Sequence, residues 1–327
     1  GTMARIRLRC SATVITGQML LTERGGIYDH PMGRVVSERM VTRFRSGSRP
    51  SRRRDRLAGE EPLEIRVNGT PLAVTMRTPG SDYELAAGFL VSEGVISKAA
   101  DFGGATYCRG GSGPGAANEY NVLDVLLGPG VEPPSPELTR NFYTTSSCGI
   151  CGKSGIGEIG VDSAFDLTGF EGEVELELLL SLPDRLRGSQ EVFDETGGLH
   201  AAAIFDAASG EMLVSREDVG RHNAVDKVIG WALMEGKLPL TGCVLQVSGR
   251  AGFELVQKAK MAGLPVFSAV SAPSTLAVEL ASASGITLAG FVRGDSLVAY
   301  SRPDRIRSVG ETPGTAGPDQ LPRAVAP

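Results

Sequence analysis

The sequence contains few cysteines and no long apolar run. Its 327 residues include five cysteines, three histidines and one tryptophan. Five scattered cysteines are too few for a disulfide framework in a chain of this length, which indicates a reducing compartment. No run of about 18 apolar residues is present, so no transmembrane helix is expected. The sequence therefore predicts a cytoplasmic protein that does not bind membranes.

Signals for nucleic-acid binding and for a P-loop nucleotide site are also missing. The formal net charge is −5, which disfavours a chain whose main partner is nucleic acid. No P-loop occurs. With 41% hydrophobic and 22% charged residues, the composition is that of an ordinary globular protein with room for two domains.

The two ends of the chain lack apolar periodicity. Residues 1–57 are predicted to form a basic, disordered extension, in which residues 43–56 are especially rich in arginine. Such a segment is either a solvated tail or an arm that docks on an acidic partner or on nucleic acid. Residues 309–327, rich in Gly, Pro and Ala, are predicted to form a disordered tail.

Residues 58–170 are predicted to form a smaller α+β domain. Alternating apolar residues at 63–67 and 72–76 flank Asn68-Gly69, a typical type I′ turn, so they predict a β-hairpin. Ser81 and Glu84 have the spacing of a capping box at the start of a helix.

Residues 171–308 alternate between strand and helix patterns, which predicts an α/β sheet with helices on its faces. Three predicted strand ends carry polar residues. Residues 247–252 and 270–275 each offer hydroxyls and lead into a helix, an arrangement that suits phosphate. The third strand end is Phe291, Val292, Arg293, Gly294, Asp295 and Ser296, where an arginine, an aspartate and an aromatic ring could contact a nucleotide. Ligands of such sheets gather at the carboxyl ends of strands.

The segment 147–153 (SCGICGK) carries the most reactive chemistry in the sequence. In a Cys-x-x-Cys pair the second thiol and nearby positive charge lower the pKa of the first, and a thiolate is a nucleophile. Cys148 could therefore attack a sulfane sulfur and hold it as a persulfide, with Cys151 in support and Lys153 supplying charge. Spacing alone also permits redox and metal-binding roles.

A zinc site is the main competing interpretation of this pair. Cys148 and Cys151 with His200 and His222 could complete a Cys2His2 set, and zinc deaminases also mix His and Cys ligands. The deaminase signature, however, places a glutamate two residues after its histidine, and Ala202 stands there. The segment 216–227, with Asp218, Arg221 and His222, is either a loop of the site or a salt-bridged helix start.

Several long motifs occur together in the sequence, at residues 77–89, 147–152, 215–227, 248–258 and 267–274. With these motifs in this order, the chain resembles the FdhD/NarQ family, the formate dehydrogenase accessory sulfurtransferases. The resemblance extends from about Glu60 to Ile306.

The resemblance implies a sulfurtransferase that takes sulfur from a cysteine desulfurase as a persulfide. It passes this sulfur to the molybdenum of the bis-molybdopterin guanine dinucleotide cofactor. Formate dehydrogenase needs the sulfurated cofactor for activity. Cys148 matches the persulfide carrier, Cys151 the supporting cysteine, and residues 291–296 the cofactor-binding stretch. The resemblance further implies a cytoplasmic homodimer with a cytidine-deaminase-like three-layer α/β domain and no metal of its own. A deaminase-like zinc hydrolase and a non-catalytic nucleotide-binding adaptor are the alternatives.

Overall fold

The computed structural model describes residues 35–108, 120–134 and 163–308. The cysteine pair, residues 1–34 and the predicted tail at 309–327 lie outside these ranges. The described residues form a mixed α/β structure with two principal sheets, which confirms the predicted class. The cytidine-deaminase-like description of the larger sheet stays a prediction.

The chain first forms a hairpin from β1 (Val36–Arg43) and β2 (Ser51–Ala58), which pair antiparallel along their whole length. The prediction of disorder over residues 1–57 is therefore wrong for residues 36–57. The strands are paired through their backbones although no residue between 36 and 58 is buried. Sequence patterning detects strands by their buried face, and this hairpin has none.

The smaller sheet contains four strands in the order β4-β3-β6-β5. Its members are β3 (Glu61–Val67), β4 (Thr70–Arg77), β5 (Phe102–Tyr107) and β6 (Val122–Leu127). Asn68 and Gly69 join β3 to β4 with positive φ angles of 49° and 81°, as a type I′ turn requires. The predicted hairpin is confirmed.

Helix α1 (Asp82–Ser92) follows β4, but the predicted capping box does not form. Ser81 has a left-handed backbone (φ 54°) and its hydroxyl caps nothing. Glu84 instead accepts two hydrogen bonds from Arg216, each 2.6 Å long. A partner 132 residues away in the chain has displaced the local interaction.

The larger sheet contains six strands in the order β13-β12-β11-β10-β8-β9. Only β10, β11 and β12 run parallel to one another, while β8, β9 and β13 pair antiparallel with their neighbours. The strands are β8 (His200–Asp206), β9 (Met212–Asp218), β10 (Cys243–Val247), β11 (Val266–Ala269), β12 (Thr287–Arg293) and β13 (Ser296–Ser301).

Helices cover both faces of this sheet and create three layers. One face carries α2 (Leu176–Gly188), which packs in a small apolar cluster with Phe205 and Val244. The opposite face carries α4 (Arg221–Met234), α5 (Phe253–Met261) and α6 (Thr275–Ala283). The short α3 (Glu191–Thr196) lies between α2 and β8, and β7 (Val174–Glu175) pairs with β14 (Ile306–Arg307).

The two sheets share one hydrophobic core, which contains residues of both predicted domains. At its centre α1 crosses α4 with glycines at the contact. A Cβ added to Gly88 would lie 1.8 Å from the backbone oxygen of Asp226, and one added to Gly230 would lie 1.8 Å from that of Glu84. The two predicted domains are thus joined through a closely packed helix pair, and the boundary at residue 170 stays a prediction.

Candidate functional site

A cavity of about 590 Å³ opens at the carboxyl ends of β10, β11 and β12. This is the edge at which the sequence predicts a ligand, because parallel strands of an open sheet present their ends together. One wall comes from α2 and the segment around α3, and the other from the strand ends. The lining residues are Pro183, Asp184, Leu186, Arg187, Gln190, Phe193, Gly197, Gly198, Leu199, His200, Ser248, Val270, Val292, Arg293 and Gly294.

Half of the predicted cofactor-binding stretch reaches this cavity. Val292, Arg293 and Gly294 line it, whereas Phe291, Asp295 and Ser296 are not among its lining residues. Phe291 has a left-handed φ of 51°, rare for a bulky side chain, and the pairing of β12 with β13 shifts register between Gly290 and Arg293. Bulges of this kind redirect side chains next to binding sites. Here the bulge brings Arg293 to the cavity wall.

His200 lies at the start of β8 and faces the cavity. Burial, followed by the positive charges of Arg221 and His222, lowers its pKa, while the nearby carboxylate of Asp218 opposes the change. The imidazole is therefore neutral at neutral pH and can offer one donor and one acceptor to a ligand. The sequence offered His200 only as a possible zinc ligand, and its place on the cavity wall favours a role in ligand binding.

The two predicted anion-binding strand ends are already partly engaged within the protein. Ser248 lines the cavity, and its hydroxyl accepts a hydrogen bond of 2.9 Å from the backbone N–H of Ala201. Ser274 caps α6 by accepting from the backbone N–H of Ala277 at 3.3 Å. Phosphate binding at these two loops stays a prediction, with the loop at Ser248 the better placed.

The segment 216–227 forms a buried network rather than an open loop. The carboxylate of Asp218 lies 2.7 Å from the ammonium of Lys227, and both side chains are almost fully buried. Asp218 also accepts from the backbone N–H of Thr78 at 3.1 Å and of Gly220 at 2.8 Å. The interpretation as a salt-bridged helix start is the one that this geometry favours, and the network ties β4 to α4.

Asn223 does not cap α4, because the helix already begins at Arg221 with Gly220 as its N-cap. Its amide instead donates to the carbonyl of Met76 at 2.8 Å, which fastens α4 to the smaller sheet. His222, one of the histidines considered for zinc, has its Nε2 2.5 Å from a carboxylate oxygen of Glu254. These side chains serve the packing of α4 against its neighbours.

The wall formed by α2 and α3 was not found from the sequence. Arg187 of α2 pairs with Asp194 of α3 and stacks on the Phe193 ring, with its guanidinium carbon 4.8 Å from the ring centre. Both Arg187 and Phe193 line the cavity. The usable signal was Gly197, which ends α3 with a left-handed φ of 67°.

Cys148 and Cys151 lie outside the described residues, so their roles stay predictions. Among residues 35–108, 120–134 and 163–308, no group of three or more His, Cys, Asp and Glu side chains is arranged to hold a metal ion. A zinc site completed by the cysteine pair is not tested by that observation. Within the same ranges, no helix has the length and apolar character that a membrane crossing requires.

The model of the FdhD/NarQ family matches residues 58–307 of this chain, most of its length. The chain belongs to the FdhD/NarQ family. A Streptomyces avermitilis protein named sulfur carrier protein FdhD is 57% identical over 276 residues, covering 84% of this chain and 97% of that protein. A protein of the same name from Mycobacterium tuberculosis is 56% identical over 277 residues, 84% of this chain and 100% of the relative.

The family extends to distant organisms. A sulfur carrier protein FdhD from Sulfolobus acidocaldarius is 45% identical over 266 residues, 81% of this chain and 96% of the relative. A crystal structure of a candidate formate dehydrogenase accessory protein from Desulfotalea psychrophila matches with a TM-score of 0.66 at 24% identity, covering 84% of this chain and 100% of that one. That structure supports the fold, and the resemblance to FdhD/NarQ proteins stated from the motifs is confirmed.

Proposed function

We propose that this FdhD/NarQ protein carries sulfur on Cys148, as a persulfide, from a cysteine desulfurase to the molybdenum of the bis-molybdopterin guanine dinucleotide cofactor. Formate dehydrogenase then receives the sulfurated cofactor. The names of the relatives support sulfur transfer in general, and the name of the solved neighbour supports the connection to formate dehydrogenase. The cavity at the strand ends is the structural observation that supports a nucleotide-containing acceptor.

The transfer needs only the chemistry of sulfur nucleophiles. The Cys148 thiolate attacks the outer sulfur of the donor's persulfide, a new S–S bond forms, and the donor cysteine leaves as a thiolate. In the second step the acceptor supplies an electron pair to that outer sulfur, and Cys148 leaves as a thiolate. The acceptor is then formally oxidised by two electrons, and Cys148 is ready for another cycle. Cys151 and Lys153 would stabilise the thiolate form of Cys148.

The acceptor is the protein's substrate, and the cavity has suitable size and charge for part of it. A volume of about 590 Å³ falls in the usual range for small-molecule sites. Arg293 supplies positive charge for phosphate groups, while the charge of Arg187 is already paired with Asp194. His200, kept neutral by burial, adds a donor and an acceptor without a net charge.

Mass spectrometry tests the carrier. The full chain is incubated with cysteine and a cysteine desulfurase, and the expected result is a gain of one sulfur atom on Cys148. A gain that persists in Cys148→Ala would contradict this assignment. Cys243→Ala is the matched control, because Cys243 is buried and its burial raises its thiol pKa to about 11. The control should load sulfur normally.

Binding of guanosine diphosphate tests the cavity. Arg293→Ala is expected to weaken binding about tenfold or more, since a charge-assisted hydrogen bond contributes roughly 1.5–3 kcal/mol. Arg52→Ala serves as the control, because Arg52 is exposed, does not line the cavity and lies outside the predicted phosphate-binding loops. Equal losses in both variants would remove Arg293 from the site.

The adaptor alternative shares the cavity but not the cysteine chemistry. It would gain if Cys148→Ala left formate dehydrogenase fully active in cells that depend on this protein. Stoichiometric zinc in the purified protein would favour the hydrolase alternative instead. A homodimer in the cytoplasm is part of the proposal, and sedimentation of the purified chain tests the dimer.

A further inference from the structure

The hairpin β1–β2 forms an exposed surface with a strong positive charge. Residues 36–58 contain eight arginines against Glu38 and Asp55, a net charge of +6 in a chain whose overall charge is −5. Residues 42–54 are all exposed. Arginine differs from lysine in offering a planar, multi-donor group that pairs with carboxylates in two-point contacts. The surface is therefore complementary to clustered carboxylates.

Few of these arginines are satisfied within the protein. Arg53 pairs with Asp55 at 2.9 Å, Arg54 approaches Glu38 at 3.5 Å, and Arg56 pairs with Glu195 at 3.0 Å. Within the described ranges, no ion pair involves Arg43 or Arg52 near the far end of the hairpin. The acidic partners are thus concentrated toward the base, and the outer half is free to bind.

Apolar side chains lie among the arginines. Phe44 is 76% exposed and Met40 is 55% exposed. On a free strand edge, preventing aggregation is a sufficient reason for arginines to be present. An edge with that purpose alone, however, would not expose a phenylalanine to water. A two-stranded hairpin without a buried face is also marginally stable by itself. Protein interfaces usually have apolar residues at their core and polar or charged residues at their rim.

The base of the hairpin adjoins the cavity. Arg56 of β2 binds Glu195 of α3, and the Cβ of Ala58 would lie 3.6 Å from a Cβ added at Gly198. Gly198 and Phe193, the latter on α3, both line the cavity. A protein that docks on the hairpin therefore lies beside the site proposed to hold the acceptor.

We propose that the β1–β2 hairpin is a docking arm for an acidic, partly apolar surface on formate dehydrogenase, the protein that takes up the sulfurated cofactor. This inference rests on the proposed function, since the choice of partner follows from the position of the arm beside the cofactor cavity. Exposed apolar residues and the negative charge of the whole chain favour a protein over nucleic acid as the occupant.

The test measures binding of the full chain to the purified catalytic subunit of formate dehydrogenase from the same cells. The double variant Arg43→Glu/Arg52→Glu is compared with Lys98→Glu/Lys237→Glu, which changes the net charge equally at exposed lysines distant in sequence from the hairpin. The hairpin variant should bind at least about tenfold more weakly at low salt, mainly through slower association. The lysine control should bind as the wild type does.

Salt provides a second, independent measurement that needs no variant. Affinity of the wild type should fall as ionic strength rises from about 0.05 to 0.5 M, because exposed charges are screened. Affinity that is independent of salt would overturn the proposal. Unchanged binding of the hairpin variant to formate dehydrogenase would also overturn it. The same holds if the variant loses affinity for a short DNA duplex but keeps its affinity for formate dehydrogenase. Since residues 36–58 are not buried, the thermal midpoint of the variant should equal that of the wild type.

Sulfur loading separates this inference from the proposed function. Both double variants should still acquire one sulfur atom on Cys148 from the desulfurase. If they load and activate formate dehydrogenase normally while binding is unchanged, the docking arm is wrong and the carrier role stands. If the wild type itself does not load sulfur on Cys148, the carrier role fails whatever the hairpin binds.

Discussion

The described structure contains two regions rich in charge that use it in opposite ways. Around α4, ion pairs such as Asp218–Lys227 and Asp226–Lys258 are buried and join elements far apart in sequence. In the β1–β2 hairpin, arginines such as Arg43 and Arg52 are exposed and largely unpaired. Buried pairs fix geometry because a lone buried charge is costly, whereas exposed charges leave stability nearly unchanged and remain available for a partner.

Removing one member of each kind of pair gives the largest expected contrast. Lys227→Met leaves the carboxylate of Asp218 buried without its cation, although its hydrogen bonds from Thr78 and Gly220 remain. Loss of one partner from a buried pair lowers the free energy of unfolding by about 3–5 kcal/mol. Urea unfolding at neutral pH measures the change.

The matched exposed change is Arg53→Met, which removes the 2.9 Å pair with Asp55. Exposed pairs contribute only about 0–1 kcal/mol. The comparison between the two regions breaks down if both substitutions cost the same, since that would mean that burial does not set the strength of these pairs.

Close packing of α1 on α4 is expected to have the next largest effect. Gly230→Ala would place its Cβ 1.8 Å from the backbone oxygen of Glu84, so the two helices must separate. Overpacking of this kind lowers the free energy of unfolding by about 1–3 kcal/mol or more. The separation would also disturb the buried ion pairs beside the contact, which sharpens the comparison with the hairpin.

Gly188→Ala is the control for that substitution. Gly188 ends α2, and a Cβ added there meets no atom within 4 Å. Alanine is the better helix former, so stability should stay the same or rise by up to about 1 kcal/mol. Thermal unfolding of both variants separates steric overlap from helix propensity. Equal losses would show that the α1–α4 contact is looser than described.

The same two regions show how far the sequence alone can lead. Strands with a buried face, such as β3 and β4 around Asn68-Gly69, were found because apolar alternation and turn chemistry are local signals. The β1–β2 hairpin was missed because its strands bury nothing. The capping box failed because Arg216, distant in sequence, binds Glu84 more favourably than the local backbone does.

The candidate site divides along the same line. Arg293 and the carboxyl ends of the parallel strands were predicted from strand–helix alternation and from the family motifs. The opposite wall, with Arg187 and Phe193, was not, since tertiary packing alone brings α2 and α3 to those strand ends. A cavity made by two walls distant in sequence leaves a local signal only in residues that need special backbone freedom, here Gly197, which ends α3 with a φ of 67°.

His200 offers the smallest and most specific prediction, because it lies between the buried network and the cavity. Burial and then the charges of Arg221 and His222 hold its folded-state pKa below the ordinary 6.5, with Asp218 acting in the opposite sense. A histidine of this kind favours the folded state fully above pH 6.5. That contribution is lost as pH falls below 6.5 toward the folded-state pKa, because the unfolded chain binds the proton more readily.

His200→Gln should therefore reduce the loss of stability on acidification below pH 6.5. The measurement is the urea midpoint of both proteins from about pH 7.5 down to about pH 5.5, where the ordinary histidine titrates. Parallel midpoint curves would show that the imidazole of His200 is solvated and that burial does not set its pKa. Diverging curves would show that burial controls the charge of side chains out to the cavity wall, as it does around α4.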